Sequence, residues 1–533
     1  MLHDNRVWIA QTEDGRNIYL EPKMANRHGL IAGATGSGKT ITLKVLAESF
    51  SDLGVPVFLA DVKGDLAGMC APGVDTEDMQ KRIARFGLKD AGFDYHPYPV
   101  TFWDIYGARG IQLRTTVTEM GPLLLSRILG LNELQTAILT ISFKIADDND
   151  LVLIDTKDLK ALLNYIDENR KALEPQYGKM SPASIAAILR AVVALEIDGG
   201  EVFFGEPALA VRDWFTMDGS GRGMIHILDS SSLITNGRLY STFLLWFLSE
   251  LFEILPEVGD LEQPKMVFFF DEAHLLFNGI STALLDKIIQ VVKLIRSKAV
   301  GVYFCTQNPR DIPDEVLAQL QNKIQHALYA YTPNERKAVK AAAESFRENP
   351  DFSTMDAIQG LGTGEAVVSF PDAKGVPCMA ERVRILPPQS RMGAIEDELR
   401  DQVILSSRLR VKYADAVDSF SAYEFLMRRG AEEAAAAEKA AEEAAAAKAQ
   451  AEAEAAAAKE AAAKEKAASK QTSRNGSSAL GKAAKSTGRS MAGTVGREVG
   501  QAAGSIFGKT GKRIGGNFGA ALGRGLFSTL FSK

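Results

Sequence analysis

The sequence predicts an α/β fold with a mainly parallel sheet, an inserted helical subdomain and a long Ala-rich C-terminal helix. Short apolar runs alternate with helical patterns in residues 1–64 and 223–415, which is typical of a parallel sheet with helices on its faces. Residues 65–222 are rich in helical patterns and contain few strand candidates. Residues 431–470 hold 23 alanines with Glu and Lys interspersed, and alanine costs least to place in a helix.

Eight runs of strand length are expected to form the sheet. They are residues 28–33, 55–61, 224–229, 266–270, 300–306, 324–331, 365–370 and 380–385. The last two are separated by the turn-rich residues 371–375, so we expect a hairpin at the sheet edge. In the insertion, helices are expected at 118–129, 132–145, 157–168 and 182–197. The apolar stretch 239–255 contains two glutamates and therefore predicts a buried helix, because a membrane span needs about 20 largely uncharged residues.

Composition divides the rest of the chain. We expect residues 1–64 and 223–415 to form one core, residues 65–222 the insertion, and residues 416–470 a helix or semi-rigid spacer. Few large apolar residues are available for the seam of a strong coiled coil. Residues 471–533 are Gly/Ser-rich and basic, which indicates a flexible tail. The alternative is a short segment that contacts an anionic membrane, nucleic acid or a protein.

Charge is distributed unevenly along the chain. The net charge of −6 divides into +9 for residues 471–533, −3 for 431–470 and hence −12 for 1–430. An acidic body argues against a broad surface that coats DNA, although a local basic channel stays open. Three scattered cysteines and a polar N-terminus without a signal-peptide pattern favour a soluble, cytoplasmic protein.

One segment fits a phosphate-binding loop. Its residues are Gly33, Ala34, Thr35, Gly36, Ser37, Gly38, Lys39 and Thr40, which match G-x-x-x-x-G-K-[ST]. The glycines let successive backbone N–H groups point at an anion, and the dipole of the next helix adds to the attraction. Lys39 is expected to reach the β- and γ-phosphates, and the Thr40 hydroxyl to bind Mg²⁺. An apolar run before the loop and a helical pattern after it supply the strand–loop–helix setting that the motif requires.

The second half of such a site is expected at the end of a buried strand. Asp271 and Glu272 follow the wholly apolar run 266–270, which suits a strand covered on both faces. Asp271 would hold Mg²⁺ through water, and Glu272 would orient or deprotonate the attacking water. Taken alone, the pair is also compatible with a solvated strand end.

Two further residues are candidates for catalysis. Gln307 follows the run 300–306 and is placed to sense the γ-phosphate, unless it is only a polar strand end. Arg296 ends the helical pattern 284–297, and its planar, permanently charged guanidinium suits the charge that develops between two oxygens. An arginine that reaches the nucleotide of a neighbouring subunit, called an arginine finger, can raise the rate of hydrolysis by about 10³–10⁵. The alternative role for Arg296 is a favourable contact with the helix dipole.

Together these residues resemble the HerA/FtsK superfamily of RecA-like P-loop NTPases. The closest resemblance is to YjgR-type proteins with a HerA-like helicase C-terminal domain, over about residues 1–410. It rests on residues 23–33 leading into the loop, on Asp61-Val-Lys-Gly-Asp65, on Phe270-Asp-Glu-Ala-His274, and on Arg296 placed eleven residues before Gln307.

The resemblance implies a hexameric ring that hydrolyses ATP with Mg²⁺ at subunit interfaces, with Arg296 as the trans-acting finger and often with DNA as the translocated partner. HerA proteins usually carry an N-terminal β-barrel, whereas only about 28 residues precede the strand that leads into the phosphate-binding loop here.

Three interpretations stay open: a motor on DNA, a ring ATPase acting on a protein or membrane partner, and a nucleotide-gated scaffold. A DEAH-box RNA helicase is disfavoured, because Lys39 and Asp271 are 232 residues apart and the later helicase motifs are missing.

Overall fold

One large sheet organises the first of two compact units, Met1–Ala431; the second is Glu432–Lys533. The structure, a computed structural model, describes residues 1–233, 237–277 and 282–472. Within these residues the sheet has 13 strands. They are β1 Leu2–His3, β2 Arg6–Thr12, β3 Asn17–Leu20, β4 Gly29–Ala32, β5 Val57–Asp61, β6 Val100–Asp104, β7 Ile111–Gln112, β8 Ile225–Asp229, β9 Met266–Phe270, β10 Val300–Thr306, β11 Asn322–Gln325, β12 Glu365–Ser369 and β13 Glu381–Ile385.

The helices that surround the sheet follow the chain in the described residues. They are α1 Lys39–Asp52, α2 Glu77–Phe86, α3 Val117–Ile128, α4 Glu133–Asp148, α5 Thr156–Glu168, α6 Arg170–Tyr177, α7 Pro182–Leu195, α8 Glu201–Phe203, α9 Gly237–Ile254, α10 His274–Phe277, α11 Thr282–Ile295, α12 Asp314–Leu317, α13 Pro333–Glu344, α14 Thr354–Gln359, α15 Asp397–Ser406, α16 Arg410–Tyr413 and α17 Ala422–Thr472. This alternation of strands and helices confirms the predicted α/β fold class.

The strand order is β1-β2-β13-β12-β11-β4-β10-β9-β5-β8-β6-β7, with β3 paired to β2. From β11 to β7 every neighbouring pair is parallel, and from β11 to β1 every pair is antiparallel. Carboxyl ends of the parallel strands therefore meet at one edge, where ligand sites of open α/β sheets usually lie.

Both faces of the parallel strands are buried, which explains their near-continuous apolar sequences. In β5, Phe58 and Ala60 pack into one hydrophobic cluster and Val57 and Leu59 into the other. Helix α1 contributes to the second cluster, and α9, α11 and the insertion helices contribute to the first. Helices thus cover the sheet on both sides.

Most of the strand predictions are confirmed within one or two residues, and 266–270 and 300–306 match β9 and β10. The prediction for 324–331 is wrong in extent, because β11 ends at Gln325. Beyond it, Ala327 and Leu328 leave the sheet for a separate cluster with Phe346 and Ile358. The hairpin of β12 and β13 is confirmed, but its predicted place at the sheet edge is wrong, because β2 pairs with β13.

Several helices of the insertion begin with hydrogen-bonded caps. Capping boxes open α3 at Thr116 with Glu119, and α4 at Asn132 with Gln135. Such pairs satisfy backbone N–H groups that have no intrahelical partner. The expectation of few strands here missed β6, whose five residues are all buried beside β8, and the short β7.

A segment after β13 is hydrogen-bonded to α1. The buried carboxylate of Glu48 in α1 accepts hydrogen bonds from the backbone N–H groups of Gln389, at 2.8 Å, and Ser390, at 3.0 Å. The Ser390 hydroxyl also donates to Glu48, and Lys44 Nζ donates to Arg391 O. We call residues 389–391 the C-terminal strap. It connects the end of the chain's core to the helix that follows the phosphate-binding loop.

In the second unit the structure describes residues 432–472, which belong to α17. The side chains of residues 432–464 are exposed. The predicted Ala-rich helix is therefore present, and the predicted basic tail lies outside the described residues. No single helix in the described ranges is long and apolar enough to cross a membrane, although the bent pair α6 and 182–203 meets that test by composition.

Candidate nucleotide-binding site

Four neighbouring strands bring the candidate residues together. In the order β4, β10, β9, β5, their carboxyl ends carry the phosphate-binding loop, Gln307, the pair Asp271–Glu272, and the Asp61–Asp65 segment. Because these strands are parallel and adjacent, residues that are distant in sequence meet at one edge. The loop and its first predicted partners therefore form a single site.

The loop has the strand–turn–helix geometry that its motif predicts. It leaves β4 at Gly33 and enters α1 at Lys39, and Gly36 and Gly38 adopt φ of +75° and +112°. These left-handed values favour glycine. A Cβ at Gly33 would lie 2.5 Å from His326 Cβ, so the close approach of this backbone also requires glycine. The N-terminus of α1 faces the loop, as anion binding requires.

Polar contacts hold the loop in position. Lys39 Nζ donates to Gly33 O at 2.7 Å and to Ala34 O at 3.0 Å. On α1, Thr42 Oγ1 lies 2.8 Å from His326 Nε2, and His326 Nδ1 lies 2.8 Å from Glu365 O. His326 is buried, and burial lowers its pKa to about 4. This neutral imidazole therefore connects α1 to the start of β12.

Asp271 and Glu272 differ in environment although they are adjacent. Burial raises the pKa of Asp271, whose carboxylate lies beside buried Cys305. Burial also acts to raise the pKa of Glu272, but hydrogen bonds from Lys63 and Gln307 outweigh it and lower that pKa below its ordinary value. Glu272 has a φ of +48°, which is uncommon outside glycine and recurs at functional sites. The pair therefore offers one carboxylate poised for a cation and one held by donors.

Gln307 connects the loop to Glu272. Its Nε2 donates to Glu272 Oε1 at 3.1 Å and to Oε2 at 3.3 Å. Its Oε1 accepts from Thr35 Oγ1 of the loop at 3.3 Å. A side chain that touches both the loop and the carboxylate is placed to respond to a bound terminal phosphate.

Two residues of the Asp61–Asp65 segment join the site, although no role could be assigned to them from sequence. Lys63 Nζ lies 3.0 Å from Glu272 Oε1, and Thr40 Oγ1 donates to Asp65 Oδ2 at 3.2 Å. Asp61 accepts from the N–H groups of Gly64 and Leu66 at 2.7 and 3.0 Å, which shapes the turn between them. In the sequence, only the resemblance of the Asp61–Asp65 segment to the family pointed to these residues. Their contacts depend on which strands are neighbours, which the sequence does not specify.

Arg296 is the one predicted site residue that lies elsewhere in the described chain. It follows α11 and precedes β10, so it lies at the amino end of a strand whose carboxyl end carries Gln307. Seven residues of strand separate the two ends by roughly 20 Å. Arg296 Nη2 lies 3.6 Å from Asp260 Oδ1, and its side chain is 37% exposed. Arg296 therefore does not reach the site of its own chain.

The side chains present fit a nucleoside triphosphate with Mg²⁺. The loop N–H groups and Lys39 would bind the phosphates. Thr40 and Asp271 would supply the hydroxyl and carboxylate oxygens that Mg²⁺ uses beside phosphate and water. No group of three or more His, Cys, Asp or Glu in the described ranges could hold a metal by itself.

Comparison with known proteins identifies the family of this chain. The family model described as helicase HerA-like C-terminal matches residues 6–514. No curated protein matches the chain. An unbound form of the bacterial conjugative coupling protein TrwBdeltaN70 is 14% identical, with 71% of this chain and 88% of that chain covered and a TM-score of 0.48. VirB4 of Thermoanaerobacter pseudethanolicus is also 14% identical, with 71% and 96% covered and a TM-score of 0.46. The match over residues 6–514 shows that the chain belongs to the helicase HerA-like C-terminal family.

Proposed function

We propose that this protein hydrolyses ATP with Mg²⁺ and works as an oligomeric motor in the cytoplasm, with DNA as the translocated partner. The observation that carries the proposal is the contact of Glu272 with Gln307 beside the phosphate-binding loop. Nucleotide binding alone requires the loop. It does not require a carboxylate and an amide aimed at the position of an attacking water.

The residues divide the work by their positions. Backbone N–H groups of residues 33–40 and the Lys39 ammonium bind the phosphates and hold the γ-phosphoryl group in line. Thr40 and, through water, Asp271 would hold Mg²⁺, which would supply positive charge against that of the phosphates. Glu272 accepts the proton of the attacking water, and Gln307 orients it. Arg296, which is remote from its own site, acts on the nucleotide of a neighbouring subunit in a ring.

A basic groove supports DNA as the partner. A cavity of about 590 Å³ is lined by Arg310, Lys323, Lys337 and Lys340, with only Asp314 and Glu344 as acidic lining residues. Residues 1–430 as a whole carry a net charge of about −12, so this concentration of cations runs against the average. Arg310 follows Gln307 by three residues. A phosphate backbone in the groove would therefore lie close to the chain segment that senses the nucleotide.

Steady-state phosphate release by the full-length protein tests the proposal. Turnover should be lost in Lys39→Ala and should rise with DNA at low, stated salt. The Lys337→Glu/Lys340→Glu variant should lose the rise with DNA but keep basal turnover. Lys81→Glu, on the exposed face of α2, is the matched control and should behave as wild type.

The alternative is a ring ATPase acting on a protein or on an anionic membrane through its basic tail. The ten Lys and Arg residues of 471–533 favour such a contact. Robust turnover that ignores double-stranded DNA, single-stranded DNA and RNA would select this alternative. If the wild type released no more phosphate than Lys39→Ala, both the DNA motor and this alternative would be contradicted.

A further inference from the structure

Glu272 is surrounded by donors in the described arrangement. Oε1 lies 3.0 Å from Lys63 Nζ and accepts from Gln307 Nε2, and Oε2 accepts from Gln307 and lies 3.4 Å from His274 Nδ1. Both oxygens are thus engaged, and the side chain is only 6% exposed. Proton transfer from water requires at least one of these contacts to open.

Lys63 is the contact that can open at low cost. Its backbone is fixed, because Asp61 accepts from the N–H groups on either side of Asp65. Its side chain is 40% exposed, so the long, flexible stem can move the ammonium without moving the turn. Among Lys63 contacts to carboxylates in the described residues, only the one to Glu272 falls within 4.0 Å.

The site offers Lys63 a second partner of higher charge. Lys63 enters the site from the end of β5, opposite the loop from β4, with Glu272 between them. Glu272, which contacts Lys63, also accepts from Gln307, and Gln307 accepts from Thr35 of the phosphate-binding loop. A phosphate bound in this loop therefore lies on the far side of Gln307 and Glu272 from Lys63, within the same site. A terminal phosphate carries more negative charge than one carboxylate and attracts an ammonium more strongly.

We propose that Lys63 exchanges partners, holding Glu272 in reserve until a terminal phosphate binds and then moving to that phosphate, which frees Glu272 to accept the proton of the attacking water. The proposal rests on the proposed ATP hydrolysis and adds its trigger. Lys63 is a positioning residue for Glu272 and a direct contact of the γ-phosphate. Gln307, which touches Thr35 as well as Glu272, keeps the freed carboxylate aimed at the water.

Binding measurements on the full-length protein test the phosphate contact. Lys63→Met keeps the length of the stem and removes the charge, whereas Lys63→Arg keeps the charge. Lys63→Met should weaken the affinity for a non-hydrolysable ATP analogue about 10- to 100-fold, as expected for a lost hydrogen bond to a charged group, with ADP affinity changed less than about twofold. Lys63→Arg should keep most of the preference for the ATP analogue over ADP, and Lys81→Met on α2 should keep all of that preference. Equal losses for ATP analogue and ADP would overturn the exchange.

A double-mutant cycle of nucleotide binding tests the release of Glu272. Because Glu272 and the terminal phosphate would compete for Lys63, Glu272→Gln should tighten binding of the ATP analogue more in the presence of Lys63 than in Lys63→Met. An equal effect of Glu272→Gln with and without Lys63 would mean that Lys63 does not exchange partners, and would overturn the proposal.

Failure of the proposed ATP hydrolysis and failure of the Lys63 exchange can be distinguished. A wild type that binds nucleotide without hydrolysing it contradicts the proposed function, while the comparison of ATP analogue with ADP still decides whether Lys63 contacts the terminal phosphate. Thermal unfolding of each variant identifies a loss that comes from misfolding, and Lys63→Arg then carries the test.

Discussion

Gln307 donates to both carboxylate oxygens of Glu272, and its own carbonyl oxygen accepts from Thr35 of the phosphate-binding loop. One amide therefore joins the loop that would bind phosphate to the carboxylate that would activate water. Gln307 follows β10, and its two partners follow the neighbouring strands β4 and β9, so these contacts span the centre of the sheet edge. A displacement of the loop would be felt at Glu272 without any helix having to move.

Replacing Glu272 with Gln should leave ATP bound and slow its hydrolysis by about 10²–10⁴-fold, because the amide cannot accept the proton of the attacking water. Steady-state phosphate release and nucleotide affinity measure the two effects. Glu133→Gln, at an exposed position of α4, is the matched control and should hydrolyse ATP like the wild type. Unchanged turnover in Glu272→Gln would exclude Glu272 as the general base.

Arg296 should act between chains. Arg296→Ala should bind ATP normally and turn it over about 10³–10⁵ times more slowly, because the guanidinium lies at the opposite end of β10 from its own site. Mixing it with Lys39→Ala subunits should restore part of the activity, since intact loops then meet intact arginines. Arg16→Ala, an exposed residue paired with Glu381, is the control. Failure to recover activity at every mixing ratio would contradict a trans finger.

Gly223 should tolerate no side chain. A Cβ there would lie 2.1 Å from Val55 O and 2.2 Å from Val55 C, both backbone atoms of the chain entering β5. Gly223→Ala should therefore lower the free energy of unfolding by about 1–3 kcal/mol, measured from urea denaturation midpoints. Gly219→Ala meets no atom within 4 Å and should change it little. Equal stability of the two variants would show that the backbone relaxes freely at Gly223.

Acidification should destabilise the fold before most carboxylates titrate. Burial lowers the pKa of His28 to about 4, of His226 to about 3 and of His326 to about 4. Each is depressed below the unfolded value of 6.5, so its contribution is present above pH 6.5 and is lost as the pH falls through its folded pKa. Asp61 acts in the opposite sense, because burial raises its pKa to about 7 and its contribution is lost as the pH rises.

Near pH 5.5 the unfolded chain should bind roughly two more protons than the folded one, so the free energy of unfolding should fall by about 2 kcal/mol per pH unit there. Urea denaturation at pH 7.5, 6.5 and 5.5 measures the slope. His226→Asn, which cannot take up a proton, should make the slope shallower. A free energy of unfolding that stays constant over this range would contradict the neutral, buried state of the three histidines.

The sequence contained enough to predict the centre of the sheet and most of the site. Strand β9 is wholly apolar, β10 is largely so, and both are buried along their whole length, so their limits can be predicted from sequence. By contrast, β2 was not predicted. It contains Arg6 and Gln11 among its seven residues and lies in the antiparallel part of the sheet. Over so short a run, the alternation of apolar and polar residues is too weak to indicate a strand. The place of Lys63 could not be predicted, because nothing local specifies that β5 lies next to β9.

The strap has a consequence for the order in which the protein is made. Glu48 and Lys44 belong to the helix behind the phosphate-binding loop, yet their partners are not synthesised until residues 389–391 leave the ribosome. Until then a carboxylate and an ammonium in α1 lack the groups that allow them to be buried. A growing chain should thus acquire a firm phosphate-binding helix only after some 340 further residues have been added to Glu48. Messages that end before codon 389 should yield chains unable to hold nucleotide, whereas those that end after residue 431 should yield competent ones.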